Sequence, residues 1–196
     1  LSERTRHFTV ATEDVYQLHN TSAVMRTCDV FGIQDLHVVE ERLGKRVDKE
    51  IAMGAQKWVS LNRYSSITNC IKNLKKSGYQ IIATTPHDNS TMLHEFDVSK
   101  KSAFFFGKES DGLSDTVMDA ADGFLKIPMY GFTESLNISV SAAIILQSVV
   151  SKMKQSPINW QLSDSEKFEI EMEWMKKTIK ASEEIIERYY LENSKQ

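Results

Sequence analysis

Ala103-Phe104-Phe105-Phe106-Gly107-Lys108-Glu109-Ser110-Asp111-Gly112 decides how this 196-residue chain is read. Four apolar residues in a row, three of them aromatic, show no alternation of apolar and polar positions. A strand of that kind is buried on both faces, as in a parallel sheet covered by helices on each side. The Gly-, Ser- and Asp-rich tail then forces the chain to turn. Gln80-Ile81-Ile82-Ala83 has the same character. Working outward, strand-type runs at residues 8–11, 36–40, 58–61, 79–84, 103–106 and 123–127 alternate with helical patterns at 22–30, 65–76, 114–121 and 138–154. The expectation is an α/β protein with a mostly parallel sheet and helices on both faces. Ligands in such sheets gather at the carboxyl ends of the strands. Those ends are Thr84-Thr85-Pro86-His87, the turn from Gly107 to Gly112, and Pro128-Met129-Tyr130-Gly131.

Composition narrows the class of function. With 41% hydrophobic and 26% charged residues the chain is globular in character. The longest apolar run, residues 142–150, is broken by Gln147 and Ser148 and is too short for a membrane span. Cys28 and Cys70 are too few for a disulfide framework or a zinc site, which makes a reducing, cytoplasmic setting the expectation. Net charge is −3, and residues 160–196 hold nine acids against six bases, so the acidity sits in the tail. Arg42, Lys45, Arg46, Lys49, Lys57 and Arg63 form a basic cluster, open to reading as a solvated loop or a phosphate-binding patch. From Ser163 onward Phe168, Met172, Met175, Ile179, Ile186 and Tyr190 recur at helical spacing, and Ser163 with Glu166 suggests a capping box. The expected division is residues 1–159 as the α/β domain and 160–196 as one long helical extension.

Nucleotide motifs fail on inspection. There is no G-x-G-x-x-G, and Gly107 and Gly112 have P-loop spacing but Leu113 stands where the phosphate-binding Lys belongs. His87, Asp88, His94 and Glu95 lack a metal-ligand spacing, so no metal is expected. Three polar segments remain at ligand-facing ends. Asn20-Thr21-Ser22-Ala23-Val24-Met25-Arg26 opens a helix, with Asn20 at a capping position. Gly107-Lys108-Glu109-Ser110-Asp111-Gly112-Leu113 follows the apolar strand. Ile127-Pro128-Met129-Tyr130-Gly131 runs through Ser135-Leu136-Asn137-Ile138-Ser139-Val140 into the longest helix. Each segment alone is also read as a cap or a turn.

Together they resemble the signature motifs of the SpoU/TrmH branch of the SPOUT RNA methyltransferases. Asn20-x5-Arg26 matches the first motif, Gly107-x-Glu109-x2-Gly112 the second, and Ile127-Pro128-Met129-x-Gly131 with Ser135-Leu136-Asn137-x-Ser139-Val140 the third. The resemblance implies a C-terminal trefoil knot, which pattern rules never suggest. It implies a homodimer that moves a methyl group from S-adenosylmethionine to a ribose 2′-hydroxyl of RNA. Within the family, a short core flanked by helices and Asn20-x-Ser22-Ala23-x-x-Arg26-Thr27-Cys28-Asp29 resemble the tRNA branch, which with only seven residues before the first strand favours a guanosine in the tRNA D-loop. Ribosomal RNA is the alternative substrate, and a non-catalytic knotted RNA-binding scaffold the alternative function. By the same matching, Thr84, Thr85, Gly107, Ile127, Met129 and Leu136 contact the cofactor, Gly107 by leaving room for it, and Asn20, Arg26, Glu109, Ser135 and Asn137 form the catalytic set. Asn20 and Arg26 converge, in this reading, on the RNA phosphate and ribose.

Overall fold

In a computed structural model of the chain, residues 1–15, 18–40, 52–86, 90–108 and 111–193 are described. In chain order the elements are β1 (Phe8–Glu13), α1 (Leu18–Val30), β2 (Asp35–Val39), β3 (Ser60–Tyr64), α2 (Ile67–Lys76), β4 (Gln80–Thr84), β5 (Thr91–Met92), β6 (Ser102–Phe106), α3 (Asp115–Ala120), β7 (Gly123–Lys126), α4 (Ile138–Gln155), α5 (Asp164–Thr178) and α6 (Ser182–Asn193). The strands form one seven-stranded sheet among the described residues, in the order β3-β2-β1-β6-β4-β7-β5. Every pairing is parallel, so all carboxyl ends lie on one edge.

The apolar run of β6 is explained by its place in the sheet, between β1 and β4. Phe104 and Phe106 belong to the core layer that holds Val24, Met25 and Cys28 of α1 and Ile138, Ala142, Ile145 and Leu146 of α4. Ala103 and Phe105 belong to the opposite layer, with Ile67, Cys70, Ile71 and Leu74 of α2 and Val117 of α3. Alternate residues thus face two apolar layers, each buried Phe side chain contributing roughly 1.5–3 kcal/mol. The strand the sequence does not reveal is β5, whose two residues at the sheet edge are too few to carry any periodicity.

One local expectation changes and another holds. Asn20 lies inside the first turn of α1 rather than capping it, because the helix begins at Leu18. The cap of α4 is Asn137, whose Oδ1 accepts from the Ser139 backbone N–H at 2.8 Å and from Ser139 Oγ at 2.6 Å. The clusters at Arg42, Lys45, Arg46 and Lys49, and at His87 and Asp88, lie outside the described residues.

The chain divides into two units, Glu3–Gln161 and Leu1–Ser2 with Leu162–Gln196. In the smaller unit the capping box forms as read: Ser163 Oγ accepts from the Glu166 N–H at 3.3 Å, and the Glu166 carboxylate accepts from the Ser163 N–H at 2.8 Å. The single long helix does not. It breaks after Thr178, where Ile179 takes an extended backbone and Ala181 a left-handed one at φ 57°. Neither Gly nor Pro marks the break in the sequence. Of the apolar stripe, Phe168, Met175, Ile179 and Tyr190 are exposed, while Ile170, outside the stripe, is buried. No described helix is long and apolar enough to cross a membrane.

Candidate active site

The carboxyl ends of the adjacent strands β6, β4 and β7 open onto a cleft of about 760 Å³, within the range of small-molecule and cofactor sites. Buried Leu125 and Ile145, with Phe106 and Ile138, give it an apolar wall. Thr84 closes the end of β4 by donating its hydroxyl to the Phe105 carbonyl at 2.7 Å, and the Thr85 N–H reaches the Leu125 carbonyl at 3.0 Å. Residues 127–137 then run without regular structure to the Asn137 cap, carrying Met129, Glu134, Ser135 and Leu136 along the cleft.

Gly107 is required here by the chain itself. A Cβ at this position would lie 2.2 Å from the backbone of Gly112 and 2.4 Å from the Leu113 nitrogen. The following loop folds back so that Lys108 and Gly112 exchange N–H···O bonds at 2.9 and 3.0 Å. The reading that Gly107 leaves room for a ligand is thereby corrected: the nearest occupant of that space is the loop's own backbone.

All six positions assigned to cofactor contact, Thr84, Thr85, Gly107, Ile127, Met129 and Leu136, line this cleft, and so do Ser135 and Asn137. Asn20 is buried nearby, its Oδ1 accepting from Asn137 Nδ2 at 3.2 Å, so the first and third motifs meet in one chain. Arg26 does not converge with Asn20: it is exposed on α1 and does not line the cleft, since residues six apart along a helix point about 120° away from each other. Glu109 lies outside the described residues. Sequence reading missed the charged rim, Lys108, Asp111, Asp115, Lys126 and Glu134. Only their neighbourhood to the matched glycines and strand ends hinted at it.

The donor set suits a small polar organic ligand with an apolar ring. Backbone groups and hydroxyls at three strand ends face an apolar wall, and the carboxylates of Asp111, Asp115 and Glu134 can accept from hydroxyl or ammonium donors. Among the described residues no group of His, Cys, Asp and Glu could hold a metal ion. Neither thiol is available as a nucleophile: both cysteines are buried, and burial pushes the Cys70 thiol up to about 12 and Cys28 higher still.

Residues 7–147 match the SpoU rRNA Methylase family. The chain belongs to that family. The tRNA (guanosine(18)-2′-O)-methyltransferase of Borreliella burgdorferi is 37% identical over 180 residues, 92% of this chain and 83% of that protein. The enzyme of the same name from Thermus thermophilus is 38% identical over 146 residues, 74% of this chain and 75% of its own length. The crystal structure of the A. aeolicus TrmH/SpoU tRNA modifying enzyme superposes with a TM-score of 0.82 at 29% identity, covering 91% of this chain and 93% of that one. In this SpoU family member the three motif segments therefore have a shared place, the carboxyl edge of β4, β6 and β7 with the α1–α4 layer beside it.

Proposed function

We propose that this chain transfers a methyl group from S-adenosylmethionine to the ribose 2′-hydroxyl of a tRNA guanosine, the position that the names of its relatives in Borreliella burgdorferi and Thermus thermophilus state for them, and that this guanosine lies in the D-loop. The observation that carries the reading is the cleft itself, which every position assigned to the cofactor, from three separate strand ends and the loop into α4, lines. The bound cofactor would supply a methyl group already activated by a sulfonium. What remains for the protein is to orient a weakly acidic ribose hydroxyl and stabilise the charge it develops.

Asn20 and Asn137 form a linked amide pair that presents hydrogen-bonding groups at the α4 end of the cleft, next to Ser135. Arg26 acts as a permanent cation. A guanidinium offers five N–H donors and no acceptor, which does not suit it to act as a general base. Clamping a phosphate and stabilising a developing alkoxide suit it better. Glu109 completes the catalytic set by motif matching.

Because Arg26 is exposed and away from its own cleft, the reading includes a homodimer in which it serves the partner's site. Exposed Val30 on α1 and Val140 and Ile144 on α4 support that, since the two helices pack together and these positions give them an uncovered apolar surface. It also includes a trefoil knot formed around the 127–137 segment, residues 1–159 as the methyltransferase domain with a helical extension from 160, and a cytoplasmic location. The presence of both Asn20 and Arg26 weighs against a non-catalytic scaffold. The test is incubation of unmodified tRNA with the purified protein and methyl-labelled S-adenosylmethionine, followed by mapping of 2′-O-methyl sites. One modified D-loop guanosine is expected, and no incorporation into tRNA overturns the proposal.

A further inference from the structure

Two acids at the end of β1, outside all three motifs, hold the loop that forms one wall of the cleft. Strand order reverses between β1 and β6, and Glu13 and Asp14 sit at the mouth of that crevice. Glu13 is 7% exposed and lies on the side of the sheet occupied by Cys70 and Val117. Its Oε2 accepts from the Ser114 N–H at 2.9 Å and its Oε1 from Ser114 Oγ at 2.6 Å. Ser114 is the cap of α3, accepting in turn from the Val117 N–H at 3.4 Å, and it lies between Leu113 and Asp115, both on the cleft wall. Asp14 is 6% exposed and faces the other end of the same loop, its Oδ2 3.9 Å from Lys108 Nζ. Lys108 also lines the cleft.

The backbone of Asp14 gives an independent reason to assign it a task. Its φ is +45°, in the left-handed region where glycine is relaxed and other residues are strained. A turn alone would be served better by glycine, so the carboxylate is what the strain retains. We infer that Glu13 and Asp14 are positioning residues for the cofactor loop, tying residues 108 and 114 to the end of β1 and so fixing the backbone that presses on Gly107. This deepens the proposed function and rests on it for the identity of the ligand.

Three variants of the full chain test it. In Asp14→Gly the backbone strain is relieved, so the melting temperature should hold or rise, while affinity for S-adenosylmethionine in calorimetry falls at least about threefold with loss of the ion pair. In Glu13→Ala affinity should fall about tenfold or more, because the Ser114 hydroxyl and N–H lose a charged acceptor. Glu13→Gln keeps an acceptor for the N–H and a partner for the hydroxyl, and should restore affinity to within about threefold of the unsubstituted chain. Amide hydrogen exchange on the ligand-free proteins supplies a readout independent of the cofactor: Ser114 in Glu13→Ala and Gly112 in Asp14→Gly should exchange faster while the β6 amides do not. Affinity unchanged within about twofold in both Asp14→Gly and Glu13→Ala, or exchange raised evenly across the sheet, overturns the inference. So does a fall in kcat with cofactor affinity intact. If the unsubstituted chain binds no S-adenosylmethionine, the proposed function fails, and the exchange measurement still decides whether the pair holds the loop.

Discussion

A methyl group is enough to disturb Gly107, because the space its Cβ would take is filled by the backbone of Gly112 and Leu113 rather than by a movable side chain. Gly107→Ala is expected to push the loop off the cleft wall, abolishing S-adenosylmethionine binding in calorimetry and costing about 1–3 kcal/mol of stability through overpacking. Arg26 is expected to behave in the opposite way. Arg26→Ala should leave cofactor affinity within a few-fold but lower turnover at least ~10²-fold, and Arg26→Lys should recover it only in part, since a point charge cannot make a bidentate clamp. Steady-state kinetics on tRNA checks both. A third residue sets a pH dependence away from the site. His37 on β2 is buried beside Tyr64, and burial lowers its pKa to about 4 against the pull of Asp35. The unfolded chain takes up this proton near pH ~6.5, so the contribution of neutral His37 is complete above that pH. It is lost progressively as pH falls toward 4, by roughly 3 kcal/mol in all. Denaturant unfolding of His37→Phe should show a flatter stability profile between about pH 4 and 6.5 than the unsubstituted chain. Of these residues, Gly107 and Arg26 are marked by motif spacing. His37 is not, because nothing along the chain sets it apart from the other four histidines and only the packing around it moves its proton.

Elements were readable to the extent that one residue's neighbours along the chain settled them. β6 and β4 declare themselves because both faces of each are buried, and α4 because its cap and apolar face are local. The break between α5 and α6 does not, since Ile179, Lys180 and Ala181 are all compatible with helix. Ala181 is strained at φ 57°, so Ala181→Gly is expected to raise the stability of this region by about 0.5–1 kcal/mol in thermal unfolding. The two helices expose Phe168, Met175, Tyr189 and Tyr190, and the break between them Ile179, and they carry more acid than base, a surface poorly matched to a phosphate backbone. Removing residues 163–196 should therefore lower the melting temperature or shift the monomer–dimer equilibrium in sedimentation. Changing Lys176, Lys177 and Lys180 together to Ala should weaken tRNA binding only modestly. If deletion leaves folding and assembly intact and tRNA binding vanishes, these helices are an RNA-binding arm.

For the whole molecule, the decisive contrast is between Asn20, bonded to Asn137 beside its own cleft, and Arg26, more than a turn further along α1 and exposed. If each site takes Arg26 from the other copy, inactive chains complement each other. Mixing Arg26→Ala with Gly107→Ala and letting subunits exchange should yield heterodimers with one intact site, about a quarter of the unsubstituted activity at equal mixing. Zero activity in verified heterodimers would place both residues in the same subunit's site.

The residues by themselves determined the parallel α/β architecture and the three loops at its carboxyl edge, and the match of their motifs to a known family marked six positions that line the cleft. Each of these follows from local facts: strands without alternation, turn residues after them, and motif spacings fixed by short stretches of chain. Tertiary structure alone decided the rest. It set the order of seven strands, the bond that joins Asn137 to Asn20, and the reach of Glu13 across 101 residues to Ser114. Those features arise where distant segments compete for the same buried space and the same hydrogen-bond partners, and no window along the chain contains both competitors.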